Sequence, residues 1–235
     1  MIVDVFIRTY EKDLKWLQYS LASITKFVTG YRNIVICIPA NQRELLNDFN
    51  LENIVTCPVY KDDYLGQQVS KLKADEYCSG ADYVLYTDSD CIFYRPFDVK
   101  DLFFEGKPII YKTRYEKVGD AICWKSVTEK ALNKKDIEWE YMRRQPLIYK
   151  SETIKDVRDY MELIHNRNLE NVVLSRPYRQ FSEFNVLGAY AESFLSDQYH
   201  FHDTDFGVEE PYLKQFWSWS NLTNDERKEI EGYLK

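Results

Sequence analysis

Tyr83-Val84-Leu85-Tyr86-Thr87-Asp88-Ser89-Asp90 is an apolar run of strand length that ends in two carboxylates at i and i+2. Two like charges so close together repel unless a cation, an array of donors or open water offsets them. All-oxygen ligands of this kind suit Mg²⁺ or Mn²⁺, and Mg²⁺ usually takes one or two protein carboxylates and completes its octahedron with substrate phosphates. The structural alternative is an Asp-rich turn that caps the next element. The placement favours a ligand site, because open α/β sheets bind ligands at the carboxyl ends of their strands.

Upstream of this run, residues 2–7 read as a strand, and Leu14, Leu17, Leu21, Ile24 and Val28 recur at helical spacing until Thr29-Gly30. A strand over 34–38, a short helix over 41–49, a strand over 54–59 and a helix over 65–77 follow. Four βα repeats thus precede Asp88 and predict parallel pairing. Beyond Asp90 the alternation lapses. Strands are expected over 107–112 and 199–202, and helices over 119–132, 153–168, 181–194 and 224–234. No repeat, low-complexity run or linker divides the chain, so the expectation is one α/β domain over 1–235 with a mixed, mainly parallel sheet flanked by helices.

At 235 residues the chain can bury about 70% of its unfolded surface without staples. Its five cysteines, Cys37, Cys57, Cys78, Cys91 and Cys123, are odd in number and never closely paired. They read as reduced packing residues of a cytoplasmic protein rather than a disulfide or zinc framework. Asp4 and Arg8 interrupt the first apolar segment and no apolar run reaches roughly 18 residues, so neither a signal peptide nor a membrane span is expected. A net charge of −7 and a pI near 5.2 argue against a surface that attracts nucleic acid throughout. Three local basic clusters remain: Lys112, Arg114 and Lys117; Arg143 and Arg144; Arg176 and Arg179. Each has aromatic neighbours (Tyr111, Tyr115, Tyr141, Tyr178) and reads either as a solvated face or as a local contact for nucleic acid. The 19 Tyr and 5 Trp fit stacking platforms for sugars or bases, and equally ordinary packing.

Several stretches together resemble the GT-A fold of nucleotide-sugar-dependent glycosyltransferases, in particular small bacterial and phage enzymes. Phe6-Ile7-Arg8-Thr9-Tyr10, Asp13 and the run from Leu17 to Ile24 look like the first strand and helix of that superfamily. Gln67-Gln68-Val69-Ser70-Lys71-Leu72-Lys73-Ala74 looks like the helix before the metal motif, and Tyr86-Thr87-Asp88-Ser89-Asp90 like the D-x-D motif itself. Phe181-Ser182-Glu183-Phe184-Asn185-Val186-Leu187-Gly188 is similar to an acceptor-side helix. The resemblance implies a nucleotide-sugar-binding half over 1–100, an acceptor half over 101–235, and transfer of a sugar from a nucleoside-diphosphate sugar, with a mild preference for UDP. It implies Mn²⁺ or Mg²⁺ on Asp88 and Asp90, with Asp90 on the metal and Asp88 on ribose or metal, so that Ser89 lies within the donor site. The ion would offset the charge that gathers on the leaving diphosphate.

A third metal ligand often comes from a His near the C-terminus of such enzymes, which points to His202 first and His200 second, two residues apart in a segment that, if extended, turns both rings to one side. A packing or solvent-facing pair is the alternative. Lys214, or the segment Trp217-Ser218-Trp219, would lie over the diphosphate. Arg8, Thr9 and Tyr10 at the first strand end fit contacts to base and ribose, although Arg8 equally fits a surface ion pair. Lys71 is a candidate diphosphate contact or a solvated helix lysine. Glu183, the one acid among Phe181 to Phe184, is expected to be partly desolvated and to serve as acceptor-side base or orienting group; a helix-start Glu answering the dipole is the other reading.

A phosphatase of the D-x-D-x-T kind has a Thr where this chain has Ile92, and a calcium loop needs more oxygens and a Gly than Cys91-Ile92-Phe93 supplies. A non-catalytic nucleotide- or sugar-binding module of the same fold remains the rival. The acceptor stays open between a glycan, a small molecule and a hydroxymethylated DNA base; the three basic clusters bear on the last.

Overall fold

The computed structural model describes residues 1–142, 145–206, 211–218 and 221–235. Arg143, Arg144 and Trp219, singled out above, lie outside the described residues. The chain opens with β1 (Val3–Arg8), α1 (Leu14–Phe27), the short β2 (Val28–Thr29), β3 (Asn33–Pro39), a 3-10 run (Ala40–Phe49) and β4 (Asn53–Cys57). Helix α2 (Asp63–Lys71) and the single turn α3 (Ala74–Tyr77) lead into β5 (Tyr83–Tyr86). Next come β6 (Cys91–Phe93), β7 (Phe97–Asp98), β8 (Phe103–Phe104), β9 (Lys107–Arg114), α4 (Cys123–Ala131), β10 (Trp139–Glu140) and β11 (Leu147–Lys150). The chain ends with α5 (Ser151–His165), α6 (Leu169–Leu174), α7 (Glu183–Phe194), β12 (His200–Asp203), β13 (Leu213–Gln215) and α8 (Asn224–Leu234).

The central sheet has the order β11-β5-β1-β3-β4. β1 pairs in parallel with β3 and β5, β3 with β4, and only the edge strand β11 runs antiparallel. This is the expected mixed, mainly parallel sheet flanked by helices. Strands β1, β5 and β11 are buried on both faces, which is why they read as near-continuous apolar runs, whereas the edge strand β4 is largely half-buried. Val3, Val5 and Ile7 of β1 join α1 residues on one side, and Phe6 joins Val69, Leu72 and Phe184 on the other. The chain moves from β1 outward through β3 and β4, then crosses to β5 on the opposite flank. The order therefore reverses between β1 and β5, and the carboxyl ends of these two strands border the crevice that such a reversal leaves.

Two readings of the sequence change. The helix expected over 65–77 breaks at Leu72 and Lys73, and the amphipathic pattern continues only in the one-turn α3. The antiparallel edge β11 and helix α6 were not foreseen: four residues after a proline, and six residues of Leu-Glu-Asn-Val-Val-Leu, are too short to show a period. No described helix is long and apolar enough to cross a membrane. The five cysteines form no disulfide; Cys123 is exposed and the other four are buried.

Candidate active site

Lys71, the last residue of α2, is 6% exposed. Its Nζ stands 2.9 Å from Asp88 Oδ1 and 3.0 Å from Glu183 Oε1, and 4.7 Å from the centre of the Phe184 ring. Burial alone would discharge the ammonium, but the charges and hydrogen bonds of Asp88 and Glu183 outweigh it and hold its pKa above the ordinary lysine value. One cation from the helix before β5 thus ties the end of β5 to the first residue of α7. Glu183 is buried as expected, but it faces an ammonium rather than an apolar pocket. Its backbone N–H donates to Gln68 Oε1 at 3.3 Å, and the Gln68 amide donates to the Tyr64 carbonyl at 3.3 Å, so Tyr64, Gln68 and Lys71 form one stripe of α2.

Asp88 Oδ2 accepts from Gln145 Nε2 at 3.0 Å. Asp90 Oδ2 accepts from the Ser218 backbone N–H at 2.8 Å and Oδ1 from Gln215 Nε2 at 3.5 Å. These donors arrive because β13 pairs antiparallel with β6 directly after the motif, Gln215 opposite Cys91, and Phe216 N–H donates to the Asp90 carbonyl at 3.0 Å. Burial, and then the neighbouring Asp88, push the Asp90 carboxyl above its ordinary value against the donors from Ser218 and Gln215. Asp13 joins this group of acids. Burial first, then the charges of Asp90 and Asp88, raise its carboxyl to about 7 in spite of a hydrogen bond from Ser218.

Arg8 is buried at the end of β1 and pairs with Asp63 at the start of α2, so it is neither solvated nor on the surface. Thr9 is fully buried, and burial followed by Asp13 and Asp63 raises the Tyr10 hydroxyl above its ordinary value. Five buried polar atoms lack a hydrogen-bond partner here: Arg8 Nε, Thr9 Oγ1, Asp13 Oδ1, Ser89 Oγ and Gln145 Oε1. Buried polar atoms are nearly always satisfied, and a cluster of exceptions marks a place built for a polar ligand. Arg8, Thr9, Lys71, Asp88, Ser89, Asp90 and Glu183 are therefore brought to one crevice.

The C-terminal candidates distribute differently. Lys214 turns away to Glu229 of α8 and lies 4.8 Å from the Phe216 ring centre. Trp217 is 57% exposed in a left-handed backbone conformation, φ 57°, immediately before the residue that holds Asp90. On the β12 ladder with β9, His200 packs at a tilt on Phe104, 4.4 Å between ring centres, and His202 meets Tyr111 edge-on at 5.4 Å. The expected metal set of Asp88, Asp90 and His202 or His200 is not assembled: among the described residues no group of three or more His, Cys, Asp or Glu converges on an ion position. All four oxygens of Asp88 and Asp90 already meet protein donors. This donor set does not fit a divalent ion as it stands, because an ion at Asp90 would first have to displace Ser218 and Gln215.

Gln145, Ser218 and Gln215 are site residues that the sequence reading did not assign, since single amides and a backbone N–H in loops carry no pattern. The basic residues of β9 and its flank prove to be paired, Lys112 with Glu192, Arg114 with Glu138 and Lys117 with Asp205.

The mixed, mainly parallel sheet flanked by helices is similar in fold to a solved glycosyltransferase structure. The crystal structure of the glycosyltransferase GlyE in Streptococcus pneumoniae TIGR4 matches with a TM-score of 0.52 and 11% identity, over 98% of this chain and 59% of that one. The present chain thus spans less than two thirds of that neighbour's length. The chain belongs to DUF6492, described as a family of unknown function, whose model matches residues 20–227. No curated protein matches.

Proposed function

We propose that the crevice between β1 and β5 binds a nucleoside-diphosphate sugar and that the protein transfers the sugar to a hydroxyl acceptor. The observation that supports this reading best is the buried ammonium of Lys71 between Asp88 and Glu183, set among unsatisfied polar atoms at the switch point of a glycosyltransferase-like sheet. Arg8, Thr9 and Tyr10 face base and ribose, and Lys71 meets the diphosphate. Cleavage of the sugar–phosphate bond leaves negative charge on the diphosphate, which a preorganised, buried ammonium stabilises. A diphosphate that draws Lys71 to itself frees the Glu183 carboxylate to accept the acceptor's hydroxyl proton. Asp88 and Asp90 keep Lys71 and the Ser218 strand end in place.

The test is thermal stabilisation by a panel of nucleoside diphosphates and nucleotide sugars, UDP-sugars first, in EDTA and in Mn²⁺, with Asp90→Ala and Lys71→Met beside the native chain. Stabilisation by one nucleotide that disappears in Lys71→Met identifies the donor. Dependence on Mn²⁺ would mean that the Ser218 and Gln215 contacts yield to an ion. Binding of a nucleotide with neither hydrolysis nor transfer of its sugar would leave a binding module, and no stabilisation by any nucleotide would remove the reading.

A further inference from the structure

The ends of α5 and α6 carry a second site that nothing above uses. His165, Arg167, Val172, Ser175, Arg176 and Pro177 line a cavity of ≈ 390 Å³. Among the described residues neither the Arg167 nor the Arg176 side chain has an ion pair or a hydrogen bond, in a chain of net charge −7, whereas the cations of β9 and its flank each meet an acid. Neither guanidinium donates to the terminal carbonyls of α5 or α6, so helix capping does not account for them. His165 is anchored by Nε2 donating to the Ala131 carbonyl at 2.9 Å, which fixes its ring in the cavity wall. Two planar guanidinium forks on one cavity are the recognition set for a phosphate or carboxylate.

The cavity connects to the crevice through residues already described. Pro177 of its lining precedes Tyr178, which is 64% exposed and packs on Tyr64 with ring centres 4.9 Å apart. Tyr64 is the outer end of the α2 stripe that runs through Gln68 to Lys71 and Glu183. Seven residues of helix rise place Tyr64 roughly 10 Å from Lys71 along the axis. An open aromatic face therefore lies between the reacting end of the crevice and the cationic cavity.

We propose that this surface is an acceptor subsite for a saccharide longer than one ring that carries an anionic group: a sugar lies on Tyr178 and the anion enters the cavity of His165, Arg167 and Arg176. This rests on the donor reading above only in calling the ligand an acceptor. The apolar C–H face of a sugar ring matches the negative face of an aromatic ring, and the charge selects among sugars. A nucleic acid would need the cations of β9 as well, and those are neutralised by acids.

The experiment measures binding of matched neutral and charged saccharides, lactose against 3′-sialyllactose for a carboxylate and maltose against maltose 1-phosphate for a phosphate, with inorganic phosphate alone as the anion probe. It uses the full chain with and without the stabilising nucleotide. The expected result is about tenfold tighter binding of a charged member, equal to roughly 1.4 kcal/mol. That preference should fall below about twofold in the Arg167→Ala/Arg176→Ala double variant, and Tyr178→Ala should weaken both members while Tyr178→Phe restores them. Equal binding within both pairs, a preference that survives the double variant, or an oligonucleotide that outcompetes every saccharide would each overturn the proposal. If no nucleotide binds and the charge preference is nevertheless found, the donor reading fails and the anionic saccharide site stands.

Discussion

Lys112, Arg114 and Lys117 on and beside β9 form one basic surface group, and Arg167 and Arg176 at the ends of α5 and α6 form another, yet only the first is built into the fold. Glu192, Glu138 and Asp205 meet the three cations of β9, and Trp139 lies beneath Lys112 and Arg114 at 4.1 and 4.4 Å. Arg167 and Arg176 meet no acid among the described residues and border a cavity. Sequence clusters of like charge do not distinguish the two situations; the partners do. A cation with its acid holds elements together, whereas a cation without one is available to a ligand.

Lys71 takes the paired kind to its limit, and its removal is the largest effect expected. Lys71→Met leaves the Asp88 and Glu183 carboxylates buried without their common cation, which costs about 3–5 kcal/mol in the unfolding free energy measured with urea. Glu183→Gln should cost less, because Asp88 still pairs the ammonium. Equal losses in the two variants would mean that Glu183, and not Asp88, is the partner that matters.

Asp13 supplies the next effect, one that depends on pH. Its folded carboxyl titrates near 7 and its unfolded value lies near 3.8, so between these values the folded chain binds the proton that the unfolded chain has released. Stability then falls as pH rises through that window and levels above about 7. Asp13→Asn should flatten the decline between pH 5 and pH 8 by an amount on the order of a few kcal/mol. A decline that is as steep in the variant would move its origin to another group, with Asp90 the first to test.

How much of this was legible beforehand follows from the range of the interactions. The parallel order and the strand that ends in Asp88 and Asp90 were readable, because local period and chain order place strand ends at a switch point. Lys71 and Glu183 were singled out as the lysine of the helix entering that strand and the one acid of an aromatic segment, and their contact with each other was not readable. The imidazoles were not: alternation says that His200 and His202 share a face of β12, but only the pairing with β9 shows that this face meets Phe104 and Tyr111. Lys214 was drawn away by Glu229, fifteen residues further on in α8, a contact that no local pattern announces. Gln145 reached Asp88 through β11, the strand too short to be seen.

A moderate loss is expected at β9. Lys112 is half-buried between Glu192, which also accepts from the Tyr141 hydroxyl, and the Trp139 ring. Lys112→Ala should cost roughly 1–2 kcal/mol, since a partly buried carboxylate loses one of two partners. Lys117→Ala, with both members of its pair exposed, should cost less than about 1 kcal/mol. A fall in affinity for single-stranded DNA in either variant, steep in salt in the native chain, would break the comparison by showing that the paired cations also serve a ligand.

Arg167→Ala and Arg176→Ala should change stability least, within about 0.5 kcal/mol, because neither side chain holds another group in place. The sign is informative as well. Two guanidinium groups on one cavity without an acid repel each other weakly, so either single variant should be neutral or slightly more stable at low salt, and the difference should vanish as salt screens the pair. Inorganic phosphate should reverse the order by stabilising the native chain above the variants, as any ligand of the folded state does in proportion to its occupancy. If instead a single variant loses a kilocalorie or more without phosphate, these arginines are structural in the same sense as Lys112, and the distinction between the two basic groups collapses into a difference of partner rather than of purpose.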